Sequence, residues 1–304
     1  MKIKAILAAL IGAVAIQGAT AGTSWAPPAK AKCVIDDCPD IGGNISVGYD
    51  TDYVFKGVRQ ARDVVWGDVN YTFENLPFSP NVGVWHLTDL NNAGTLFGPT
   101  SNYGDETNLY ASINLPSILG FDSNLGYTHF LFPTQRGPSP GGPWGDGYGQ
   151  LTLSLARELI WGIVGSYSAD YGFGGRVDSG WMHTLALEKG FDITDAIGLD
   201  LSGGVLYNDN YWSYPNAGFP GPGNVLNTFA GGTNARDAGW HSYFLRAGLP
   251  IALNCRATLT PYIQYNGTPD TWTGDGMVAW PARLGVNANR NDALYGGVSL
   301  NVNF

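Results

Sequence analysis

The sequence predicts an all-β protein, a transmembrane antiparallel up-and-down β-barrel of twelve strands, and three features carry this prediction. The chain ends on an alternating strand whose apolar face includes Leu294, Val298 and Phe304. It begins with a secretory leader, and between the two ends further segments alternate in polarity. Each segment is near the length of about 9–11 residues that a tilted strand needs to cross a bilayer.

The leader is defined by its charge and hydrophobic pattern. Lys2 and Lys4 precede an apolar run over 5–16, and an A-x-A site follows at 19–21. This pattern predicts a signal peptide over 1–21, cleaved before Gly22. The run is shorter than the about 20 apolar residues of a membrane-spanning helix. We therefore expect an exported protein located in the bacterial outer membrane, in contact with outer-membrane lipid.

Composition narrows the function classes. Charged residues make up 13% of the chain, against about 25% in ordinary soluble domains. The net charge is −9, and loss of Lys2 and Lys4 with the leader changes it to −11. Such a charge argues against a nucleic-acid partner. No cofactor and no metal site are expected.

The first segment shows the clearest alternation. Polar positions such as Asp50 and Asp52 alternate with positions predicted to face lipid. Those lipid-facing positions are Ile45, Val47, Tyr49, Thr51, Tyr53 and Phe55. The other segments lie near 64–73, 82–88, 108–115, 123–132, 150–155, 161–171, 181–189, 199–207, 242–249, 257–265 and 294–304.

The links between the segments alternate in length. Mostly long links rich in Gly, Pro, Asn and Asp lie at 57–63, 89–106, 133–147, 172–180, 208–241 and 266–292. Short links lie at 74–81, 116–122, 156–160, 190–197 and 250–256. This alternation predicts one rim of extracellular loops and one rim of periplasmic turns. The last strand must then pair with the first to close the barrel, and Phe304 is predicted to be read by the barrel-assembly machinery.

Residues 22–43 show no strand period and are predicted to form a periplasmic extension that precedes a barrel over 44–304. Cys33 and Cys38 enclose four residues of this extension. In an oxidising compartment, this spacing predicts a small disulfide loop between them. Cys255 would then remain as an odd thiol.

One segment resembles a known family. Asp52, Tyr53 and Val54 are followed by Phe55-Lys56-Gly57-Val58-Arg59-Gln60, which resembles the opening signature of the TorF family of outer-membrane porins. Family members show Ser, Arg and Ser where this chain has Thr51, Lys56 and Arg59. The resemblance implies an outer-membrane barrel with a transport role and no assigned substrate, and it carries no catalytic residues.

The polar face of the segments supplies the candidate functional residues. Charges are costly on a lipid-facing surface, so polar positions are predicted to line the lumen. A porin-like channel for small solutes or ions is the first hypothesis, because an acidic lining favours cations, although the charges could instead pair with one another. The alternatives are a structural or adhesive barrel that acts through its loops and, less favoured, a lipid-hydrolysing barrel enzyme. The candidate lining residues are Asp50, Asp52, Lys56, Asp68, Asn70, Glu188, Asp200 and Arg246.

Overall fold

The computed structural model describes residues 41–90, 105–132, 147–174, 179–209, 211, 239–267 and 293–304. Within these ranges the alternating segments form long antiparallel strands, and a two-residue strand, β11 (Ile251–Ala252), lies in a turn and pairs with β12. The long strands are β1 (Gly43–Phe55), β2 (Val58–Thr72), β3 (Asn81–Asp89), β4 (Asp105–Ile118), β5 (Phe121–Leu131), β6 (Tyr148–Glu158), β7 (Val164–Phe173), β8 (Gly180–Asp192), β9 (Gly198–Asp209), β10 (Gly239–Gly248), β12 (Ala257–Gly267) and β13 (Ala293–Asn303).

The strands close into a barrel. Each strand from β1 to β10 pairs with its sequence neighbour, β10 pairs with β12, and β13 pairs with both β12 and β1. At the β1–β13 seam the register runs from Asn44 opposite Asn303 to Asp50 opposite Gly297. Closure leaves no free sheet edge, which is the condition for a sheet in lipid. The predicted twelve-strand antiparallel barrel, with its last strand paired to its first, is confirmed.

The barrel has two distinct rims. Short turns and the ends of β1 and β13 define the turn rim, where a 3-10 turn, η1 (Ile160–Gly162), also lies. The opposite loop rim carries the connections at 91–104, 133–146, 212–238 and 268–292, which lie outside the described residues. No helix in the described part of the chain is long and apolar enough to cross a membrane.

The first predicted loop, 57–63, is wrong. β1 and β2 are joined by a two-residue turn, Lys56-Gly57, and β2 already begins at Val58. Lys56 has φ 48° and Gly57 has φ 78°, as a type I′ turn requires at both central residues. This turn continues the twist of the two strands. The polar residues after Gly57 therefore lie in a strand.

The outer face of the barrel is apolar. Exposed aliphatic side chains occur on strands all round the wall, where a water-soluble barrel would expose polar groups. This arrangement matches a surface that contacts lipid. The exposed aliphatic residues include Ile45, Val47, Val65, Val69, Val82, Val84, Leu109, Leu125, Leu151, Leu185, Leu187, Leu201, Val205, Leu245, Ile263, Leu294 and Val298.

Aromatic rings form a belt on this outer face near the loop rim. Tyr171 contacts Trp181 at 4.8 Å between ring centroids, and Tyr207 contacts Trp240 at 5.5 Å. His183 links the two pairs, with its ring 6.2 Å from both Trp181 and Tyr207. Amphipathic rings at this height suit the boundary between hydrocarbon and headgroups.

On the inner face, aromatic rings lie flat over glycines of the neighbouring strand. A Cβ atom at Gly48 would lie 2.4 Å from the ring of Trp66, and one at Gly83 would lie 2.3 Å from Tyr110. These glycines therefore give the rings space against the wall, since a larger side chain would force them into the lumen.

The expectation of a lone thiol at Cys255 is wrong, because Cys255 is disulfide-bonded. Cys33 and Cys38 lie outside the described residues, so the disulfide between them stays a prediction. The turn that carries Cys255 lies close to the start of the barrel, since Arg256 accepts a hydrogen bond from Asn303 and Gly43 exchanges two with Phe304. Spacing along the chain does not reveal this proximity.

Candidate functional site

The tip of the β1–β2 hairpin leaves the barrel wall. β1 pairs with β13 only as far as Asp50, and β2 pairs with β3 only from Val64 onward. Beyond these points the described residues of the two strands form ladder pairs with each other, with a register shift between Tyr53 and Val54. Asp63 at the base of the hairpin still accepts a hydrogen bond from Leu90 N–H at 2.9 Å. We call residues 51–63 the inward hairpin.

The inward hairpin crosses the lumen. The Tyr53 hydroxyl donates to Glu106 on β4 at 3.2 Å, and the Phe55 ring lies 5.6 Å from that of Phe130 on β5. Lys56 at the tip donates to Asp170 on β7. Because β7 lies six strands away from β1 in a barrel of twelve, this ion pair joins opposite walls of the barrel.

Two predicted orientations are therefore wrong. Tyr53 and Phe55 were expected to face lipid, but both are buried in the lumen at 1% and 4% exposure. The bulge between Tyr53 and Val54 breaks the strict alternation, and the hairpin bends inward at the same height. Strand periodicity holds only up to this irregularity.

The ion pair at the tip is embedded in a polar network. Asp170 also accepts hydrogen bonds from Thr152 Oγ1 at 2.6 Å and from Gln150 Nε2 at 3.2 Å. The Tyr211 hydroxyl donates to Gln150 Oε1 at 2.6 Å, and the Lys56 Nζ atom lies 4.8 Å from the centre of the Tyr211 ring. All of these side chains are buried. The inward hairpin and its partners therefore fill the lumen at the loop-rim side.

A second network lies closer to the turn rim. Asp50 accepts hydrogen bonds from Tyr262 Oη at 2.6 Å and from Trp66 Nε1 at 2.9 Å. The guanidinium of Arg246 stacks over the Tyr262 ring, 3.9 Å from its centre. Stacking of this kind holds the guanidinium plane in a fixed orientation.

Asp68 and Asn70 lie on the inner face of β2, where Asp68 accepts from Tyr110 at 2.6 Å and from Asn70 at 2.7 Å. Asp52 lies at the base of the inward hairpin, 3.5 Å from Arg62. The side chains of Glu188 and Asp200 are partly exposed, as is that of Asp68, so solvent reaches this part of the lumen.

The structure thus places every candidate lining residue on the inner face or on the inward hairpin. It also places there four residues that the sequence did not single out: Glu106, Gln150, Asp170 and Tyr211. Asp170 lies in a segment with irregular alternation of polarity. Its position in that alternation was the only indication in the sequence that it faces the lumen. Tyr211 lies after β9, where no periodicity applies.

The described histidine side chains do not line the lumen. His86, His129 and His183 lie on the outer face of the wall, where His183 contacts Tyr167 Oη at 2.8 Å and His86 contacts Thr107 Oγ1 at 2.9 Å. Nucleophilic hydrolysis needs a base in hydrogen-bond reach of a nucleophile inside a water-excluded site. No such arrangement involves these three histidines.

The fold and the site together define a closed twelve-strand barrel with an apolar exterior and a polar lumen that is narrowed from one wall. Solved structures similar to this chain include the KdgM porin, at TM-score 0.45 and 8% identity over 86% of this chain and 99% of that chain. The COG4313 outer membrane channel from Pseudomonas putida F1 is similar at TM-score 0.46 and 10% identity, over 90% and 100% of the two chains. LpxR from Salmonella typhimurium is similar at TM-score 0.41 and 10% identity, over 86% and 100%.

At TM-scores below 0.5 these similarities do not establish a shared function. No protein-family model matches the chain, and no curated protein matches it in sequence. The resemblance to the TorF family therefore rests on the segment 51–60, which forms most of the inward hairpin, together with the general barrel pattern.

Proposed function

We propose that this chain is an outer-membrane channel for small solutes, that it favours cations, and that the inward hairpin sets the width of its path. The apolar exterior with its aromatic belt supports a location in the outer membrane. The polar inner face supports a path for water and solutes. A twelve-strand barrel is wider than an eight-strand one, whose interior is filled by side chains, and narrower than the open channels of sixteen to eighteen strands.

The single observation that carries the selectivity is the charge of the inner wall. Among the described residues, carboxylates outnumber the cationic groups that face the lumen. Rings of carboxylates favour cations and exclude anions from narrow pores. The lumenal carboxylates include Asp50, Asp52, Asp68, Asp89, Glu106, Asp170, Glu188 and Asp200, and the cations are Lys56, Arg62 and Arg246.

The geometry of the hairpin supports a narrow path. At the loop-rim side the buried side chains meet across the full width of the lumen, whereas residues near the turn rim remain partly exposed. Solutes would enter the wider half freely and be sorted by size where the hairpin crosses.

Proteoliposome swelling tests the proposal directly. Vesicles that contain the refolded full-length protein should swell fastest in isosmotic glycine, more slowly in arabinose and slowest in sucrose, because the hairpin restricts larger solutes more strongly. The folded state is checked by the mobility shift between heated and unheated samples on a gel. Swelling equal to that of protein-free vesicles, with the shift intact, would contradict the channel and favour a structural barrel.

A further inference from the structure

Three charged residues on neighbouring strands form a separate group in the lumen. Glu188 on β8 is in register with Ser202 on β9, which is in register with Arg246 on β10. Asp200 lies two residues from Ser202 on the same face of β9. We call Glu188, Asp200 and Arg246 the charge triad.

The side chains of the triad make no hydrogen bond or ion pair in the described part of the chain, and Arg246 contacts the Tyr262 ring. Arg246 is 7% exposed, and its Nη1 atom makes no hydrogen bond there. The ion pairs between described residues include none of the triad, so Arg246 does not pair within 4.0 Å with Glu188 or Asp200. Burying a guanidinium without an acceptor is costly unless a ligand supplies one.

The polar groups next to the triad already have hydrogen-bond partners of their own. Asp50, the next carboxylate along the wall, accepts from Trp66 and Tyr262, and Tyr262 also stacks under Arg246. Arg246 is nevertheless close enough to Glu188 and Asp200 for their charges to interact. The guanidinium is therefore fixed in place beside two carboxylates without contacting them.

The spacing of the triad sets the size of the molecule that could bridge it. Glu188 and Arg246 lie two strand spacings apart, which is about 10 Å between backbones. A ligand carboxylate would fit the fork of the guanidinium, and ligand amino groups would fit the two protein carboxylates. A bare metal ion suits the triad less well, because a guanidinium repels it and no group of three metal-ligating side chains occurs among the described residues.

We propose that the charge triad binds diamino acids, solutes that carry one carboxylate and two amino groups. Arg246 holds the carboxylate, and Glu188 and Asp200 hold the amino groups. The assignment rests on the proposed channel function for its biological meaning, since it names a solute class for that lumen. Partial exposure of Glu188 and Asp200 makes the triad accessible from the turn rim.

Calorimetric titration of the refolded full-length protein in detergent tests the proposal without relying on conduction. L-lysine is compared with cadaverine, which has the same two amino groups and lacks the carboxylate. L-lysine should bind at least tenfold more tightly. Equal affinity for the two compounds would overturn the proposal and show only general attraction of amines to an acidic lumen.

Variants assign the contacts. Arg246→Met should bring L-lysine binding down to the level of cadaverine and leave cadaverine unchanged, whereas Glu188→Gln with Asp200→Asn should weaken both. Glu74→Gln is the control, because it removes a carboxylate from an exposed turn outside the lumen, and it should change neither. If the Arg246→Met variant keeps the preference for L-lysine over cadaverine, the proposal is wrong. If that variant does not fold, Arg246→Gln is measured instead. The comparison of L-lysine with cadaverine on the unmodified protein decides in either case.

The binding and flux measurements fail independently. L-lysine binding without solute flux would keep the triad and remove the channel. Flux without L-lysine binding would keep the channel and remove the triad.

Discussion

Replacing Lys56 with Met is expected to raise single-channel conductance several-fold. The substitution leaves Asp170 as a buried carboxylate that has lost its cation, a change that costs about 3–5 kcal/mol in a buried pair. Because the ladder pairs of the described residues with β13 and β3 end at Asp50 and Val64, we expect the tip of the hairpin to move away and admit water to Asp170. Planar bilayer recordings of single channels measure the effect.

Two variants make this prediction specific. Lys56→Met combined with Asp170→Asn removes both charges and should return the conductance toward that of the unmodified protein, since neutral partners can pack without a stranded charge. Arg62→Gln is the control on the same hairpin, because its pair with Asp52 is half exposed and such pairs contribute little. An unchanged conductance in Lys56→Met would show that the ion pair does not hold the hairpin in place.

Deletion of residues 297–304 is expected to abolish the folded barrel. This segment supplies the whole register that β13 shares with β1 and the two hydrogen bonds between Gly43 and Phe304, at 2.9 and 3.0 Å. Without it, β1 presents an unpaired edge, which lipid does not tolerate. The heat-dependent mobility shift of the refolded protein should disappear. A persistent shift would mean that β1 and β12 can close the barrel without β13.

Phe304→Ala separates closure from assembly. The substitution keeps the backbone bonds at the seam and removes the ring that packs against Gly43. We expect normal refolding in detergent together with a large drop in the amount of protein assembled in cells, because Phe304 is proposed to be read by the assembly machinery. Equal amounts of assembled protein would remove that role from Phe304.

The sequence predicts the wall of this barrel well and its interior poorly. In β1 as far as Asp50, polar and apolar side chains alternate because one side of the strand faces lipid and the other faces water. The cause therefore acts on each residue locally. The inward turn of Tyr53, Phe55 and Lys56 depends on a bulge and on contacts with strands that lie 50 to more than 100 residues away. No local pattern records such contacts, although Lys56-Gly57 between two apolar runs is a hairpin signal that could have replaced the predicted loop.

The candidate site divides in the same way. Asp50, Asp68 and Arg246 can be assigned to the inner face from period two alone, because a charge on the lipid side is costly. The partners of these residues depend on the barrel register, because the register brings the Arg246 guanidinium over the Tyr262 ring. The closeness of the turn at Cys255 to the start of the barrel depends on the meeting of the two ends of the barrel at one rim.

The reversal potential across a tenfold KCl gradient tests the central claim most directly, namely that the acidic lumen of this barrel is a cation-favouring path. The full-length protein in a planar bilayer, and the Lys56→Met variant with its wider path, should both give a reversal potential of the sign set by potassium. A sign set by chloride, or the absence of conductance in both proteins while the barrel remains folded, would contradict the account.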